Sequence, residues 1–79
     1  MFDPEKHDKL PNGALILHRK KVSDIWIWLA ELGGYMPYVT WVSHESTPGG
    51  TCHGHYHSRF GDAYMDFIER IGRYRSLIG

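Results

Sequence analysis

Four of the chain's six histidines, His44, His53, His55 and His57, lie close together in the second half of the sequence. Imidazole binds transition metals and exchanges protons near neutral pH, so such a group is the first place to look for chemistry. On a strand, His53-Gly54-His55 puts two rings on one face, about 7 Å apart at Cβ. His57 continues the row, and His44 on a facing strand supplies another ligand. Three imidazoles with a fourth position open would suit a zinc ion that activates water. Glu45 and Asp62 are the nearest carboxylates in sequence, and neither can be placed as a general base. The same alternation describes the solvated outer face of a half-buried sheet, where polar residues collect without any task. That is the preferred reading: no cofactor, with zinc held by His44, His53, His55 and His57 as the alternative.

Other reactive groups form no constellation. Cys52 is the only cysteine, which excludes an internal disulfide framework. Its neighbour His53 points to the opposite face of a strand, so the two make no nucleophile and base pair. The serines build no nucleophile elbow, and Gly33-Gly34 and Gly49-Gly50 belong to no phosphate-binding loop. Two positive clusters remain, His18-Arg19-Lys20-Lys21 and Arg70/Arg73/Arg75. Nine basic side chains are balanced by nine acidic ones, and nonspecific nucleic-acid affinity needs a surplus of cations, so nucleic acid is not the expected partner. Cations late in a helix also complement its dipole. Aromatic and arginine side chains anchor protein interfaces. Trp26, Ile27, Tyr35 and Met36, with Arg70 and Arg73, are the expected contact residues for a protein partner or a second copy in a homodimer.

The elements that must position these residues follow from patterning. Residues 1–12 are polar with two prolines and read as a flexible arm before a single domain at 13–79. Asn12-Gly13 is a turn signal, and Ala14-Leu15-Ile16-Leu17 a first strand. Ser23 is a good N-cap and Asp24 suits the first turn of a helix. Ile25, Trp28, Leu29 and Leu32 recur at helical spacing, which predicts a helix from Asp24 to about Leu32 ended by Gly33-Gly34. Tyr38–Val42 is β-branched and aromatic and reads as a strand. Ser46–Gly50 is a turn, and Thr51 to His57 returns as the other arm of a hairpin. In the register with Thr47–Gly50 as the loop, Trp41 faces Tyr56 on the core side. His44 then faces His53, Val42 faces His55 and Thr40 faces His57, the imidazoles lining the outer side. A slip of one residue would reverse every side chain. Phe60, Tyr64, Phe67, Ile71 and Tyr74 give a final amphipathic helix over about 60–75. The order β-α-β-β-α predicts an α+β two-layer sandwich, a three-stranded sheet covered on one face by two helices.

At 79 residues and 42% hydrophobic composition the chain is one small domain, too apolar to be disordered. The longest apolar stretch is far short of a membrane span and nothing resembles a signal peptide, so a cytoplasmic protein is expected. Tyr38-Val39-Thr40-Trp41, a glycine turn, Gly54-His55-Tyr56, and a helix with Ala63, Asp66-Phe67 and Arg70 together resemble small uncharacterised bacteriophage accessory proteins over residues 38–70. His53 and His57 lie outside that pattern. The resemblance implies a small cytoplasmic inhibitor that occludes a surface of a host or defence protein, and transfers no catalytic residue. The functional expectation is thus a noncatalytic protein-binding module. A histidine-rich zinc protein or small metal-dependent hydrolase is the alternative, and a nucleic-acid-binding accessory protein is third.

Overall fold

A computed structural model describes residues 2–78. Strands β1 (Leu15–Val22), β2 (Ile25–Glu31), β3 (Tyr38–His44) and β4 (Cys52–His57) are followed by helix α1 (Phe60–Ile78). The strands form an antiparallel meander in the order β1-β2-β3-β4. This is a small α+β fold, but the expected three-stranded sheet with two helices is wrong. The segment predicted as the first helix is strand β2, at the centre of the sheet.

The reason lies in burial. Trp26 through Ala30 are all buried, as they must be in a central strand whose two faces are both covered. A run apolar on both sides satisfies a helical stripe as readily as a strand, so periodicity alone does not separate them. Length and residue type do, because Ile25-Trp26-Ile27-Trp28 is β-branched and aromatic. Ser23 and Asp24, read as a helix start, are the two loop residues of the β1–β2 hairpin, with Val22 paired to Ile25. Ser23 has φ 55°, and Asp24 stays on the negative side. A positive φ at the first loop position matches the right-handed twist of a hairpin. β1 also extends further than expected, carrying the basic stretch His18–Lys21 along an exposed edge.

One face of the sheet packs under α1, where Ile27, Leu29 and Val22 meet Ala63 and Phe67. The other carries Trp26, Trp28, Ala30, Val39 and Trp41, covered by Leu10 and Phe2. Residues read as a loose arm thus lie across the tryptophans. Leu10 is buried, the Phe2 and Trp28 rings meet edge-on at 5.9 Å, and Arg19 Nη1 donates to the Pro4 carbonyl at 3.0 Å. Below them the Trp28 indole donates to Ser43 Oγ at 2.8 Å, and Ser43 donates onward to the Gly50 carbonyl. Among the described residues no helix is long and apolar enough to cross a membrane.

Candidate functional site

The β3–β4 register decides where the histidines go. Tyr38 pairs with His57, Val39 with Tyr56, Thr40 with His55 and Val42 with Cys52. The expected pairing of Trp41 with Tyr56 and Thr40 with His57 is therefore displaced by two residues. An even displacement preserves faces, so Trp41 and Tyr56 still meet, edge-on at 6.3 Å. The irregularity between Thr40 and Val42 is taken up by one extra residue in β4. His53 sits in this bulge with φ 53°, the left-handed conformation such bulges use. Gly54 lies against Trp41, where a Cβ would stand 2.8 Å from the indole nitrogen.

The histidine-bearing face is not the open one, because α1 lies across it. Asp66, on the helix, takes the centre. The Thr40 hydroxyl donates to Asp66 Oδ2, and His55 Nδ1 lies 3.0 Å from the same oxygen. His57 Nε2 approaches to 3.5 Å without making a hydrogen bond. Arg70, one turn on, brings Nε to 3.7 Å and donates through Nη2 to the His53 carbonyl. Burial is the largest single influence on Asp66 and works against its charge. The Thr40 hydroxyl, the His55 ring and the Arg70 guanidinium together outweigh it and hold the carboxyl below its ordinary range.

The four histidines of the alternative zinc reading, His44, His53, His55 and His57, do not come together. His44 stands at the far end of β3, about 20 Å along the strand from the His57 pairing position, with Nε2 3.1 Å from Asp24 and Nδ1 2.8 Å from Ser46. His53 faces solvent from the bulge. Only His55 and His57 share a neighbour, and the Arg70 guanidinium beside that carboxylate supplies the positive charge a cation would bring. Among the described residues no three His, Cys, Asp or Glu side chains are grouped to hold a metal ion. Asp66 figures in the sequence only as part of the resemblance over residues 38–70, with no role of its own. Its signal was the i,i+4 spacing to Arg70 beside the Ala63/Phe67 stripe.

The expected contact residues also separate. β2 sends Trp26 to the arm face and Ile27 to the helix face, and both are buried. Arg70 is only 4% exposed, committed to Asp66 and the His53 carbonyl. Arg73 is exposed on the outer side of α1. Tyr35 and Met36 stay together on the loop between β2 and β3. The loop is closed by the Leu32 N–H donating to the Pro37 carbonyl at 2.8 Å, and it turns through Gly33 and Gly34 at φ 84° and 82°, which an L side chain resists. At its tip Tyr35 is 94% exposed, flanked by Leu32 at 46% and Met36 at 39%. Leu32 was read as the end of a helix stripe and so was missed as part of this tip.

No family model matches the chain, and no curated protein or solved structure shows significant similarity to it.

Proposed function

We propose that the protein is a noncatalytic binding module that covers a surface of another protein, with the Leu32–Pro37 loop as the part that enters it. The observation carrying this reading is Tyr35, a large aromatic side chain left 94% exposed between two further exposed apolar residues. Leaving apolar area in water is costly, and that cost is recovered when a partner covers it. A tyrosine loses little conformational freedom on binding and offers both ring area and a hydroxyl, which makes it a frequent anchor. The tip is carried by the two central strands, whose side chains are largely buried, and a loop on a rigid base is a usual place for recognition. The likeness of residues 38–70 to bacteriophage accessory proteins directs the search toward a protein of a bacterial host.

A photoreactive phenylalanine analogue at position 35 should crosslink a discrete protein in bacterial lysate, whereas the same group at exposed Glu5 should not. Unlabelled protein should compete, and a Tyr35→Ser competitor should do so at least about tenfold less well, as loss of an interface anchor requires. Equal competition by Tyr35→Ser, or no adduct from position 35, overturns the proposal.

A further inference from the structure

Helix α1 packs one side on the sheet, through Ala63, Phe67, Arg70, Ile71 and Tyr74. The opposite side is open. Gly61, Met65, Ile68 and Gly72 succeed one another at spacings of four, three and four, which aligns them along one outward stripe. Met65 is 60% exposed and Ile68 45%. A Cβ built at Gly61 or Gly72 would meet nothing within 4 Å, so the glycines are not needed for packing inside this chain. Charge is divided along the same helix, with Asp62, Asp66 and Glu69 in the first half and Arg70, Arg73 and Arg75 in the second. Asp62 and Arg73 flank the stripe on the same side. Among the described residues neither is engaged in an ion pair.

We infer that this stripe is the contact of a homodimer in which two copies of α1 pack antiparallel. The occupant follows from self-complementarity. A two-fold axis at Ile68 sets Ile68 against its counterpart and lays Met65 of one copy over Gly72 of the other. The same operation brings Asp62 of one copy beside Arg73 of the other, twice. An antiparallel arrangement is the one that joins the acidic half of each helix to the basic half of its mate, and a two-fold contact repeats each favourable pair. The glycines allow close approach, toward the lower end of the roughly 8–10 Å axis separation of packed helices. A heterologous partner would have no reason to match this helix's own spacing of knobs, gaps and charges. The inference is independent of the loop described above.

The experiment is sedimentation equilibrium of the full chain up to about 1 mM, where even weak self-association registers. The wild type should approach twice the 9.2 kDa chain mass. Ile68→Glu, which puts two carboxylates at the axis, should remain monomeric with an unchanged circular dichroism spectrum. Gly72→Leu should be at least as helical as the wild type, since leucine favours helix over glycine, yet monomeric, because Met65 of the mate has lost its gap. Asp62→Lys should weaken association at least about tenfold, and adding Arg73→Glu should restore it, as a double-mutant cycle on one pair requires. Tyr35→Ser should leave the dimer intact. A wild type monomeric throughout overturns the inference, as does a dimer indifferent to Ile68→Glu, which would point to edge-strand pairing. A dimer lost in Tyr35→Ser assigns self-association to the loop and overturns it as well.

Discussion

At Asp66 two opposing effects meet, burial that disfavours charge and a ring of donors that favours it, and the donors prevail. The sign of the pH response is then fixed. A carboxyl held below its unfolded-state value stabilises the fold above that value, and the stabilisation is lost as pH falls through the lowered one. Stability should therefore decline from about pH 4 downward. Asp66→Asn should be less stable at pH 7 by about 2–4 kcal/mol, because Arg70 loses its countercharge while remaining buried. The same variant should show a flatter acid limb in urea unfolding monitored between about pH 7 and 2.5. A variant as acid-sensitive as the wild type would assign the acid response to other carboxylates. Little of this node was legible in the sequence. The His-x-His spacing holds for His55 and His57, which share Asp66, while the bulge turns His53 to solvent. Which layer covers the shared face depends on the helix coming back over it, a long-range event with no local sign.

The β1–β2 hairpin shows how one dipeptide supports two structures. Ser23-Asp24 suits a helix start, yet here it forms a two-residue turn whose first φ is positive, a position glycine fills more readily than serine. The chain resolves the choice through the next segment, since Ile25–Ala30 has no polar side to turn to water and is long enough to cross the sheet once. Replacing Ser23 tests the assignment by sign. At an N-cap, Ser→Gly costs a few tenths of a kcal/mol. At φ 55° it removes a Cβ penalty and should raise stability by about 0.5–1 kcal/mol, read as a rise of several degrees in Tm. β3, β4 and α1 were legible because each has a polar side or a β-branched signature of its own. β2 carries a β-branched and aromatic signature too, but its apolar residues also fit a helical stripe, and the layers that bury its two faces come from both ends of the chain.

The molecule as a whole is a sheet with a cover on each side, α1 on one and residues 2–14 on the other. For a chain this short, net stability is a small remainder, on the order of 5 kcal/mol. Burying Leu10 and Phe2 contributes roughly 3–5 kcal/mol of that scale. Removing residues 1–11 should therefore shift tryptophan emission to the red as Trp26 and Trp28 meet water, and should broaden or abolish cooperative unfolding. Emission and a Tm unchanged by the truncation would mean that the arm adds no net stability. The two covers also stand in a fixed temporal order. The arm leaves the ribosome ahead of the strands it will overlie, so the tryptophan side can close as the meander forms. The helix follows the sheet it covers, and until it has emerged Ile27, Leu29 and Val22 stand bare in water, open to clumping with another nascent chain or to chaperone capture.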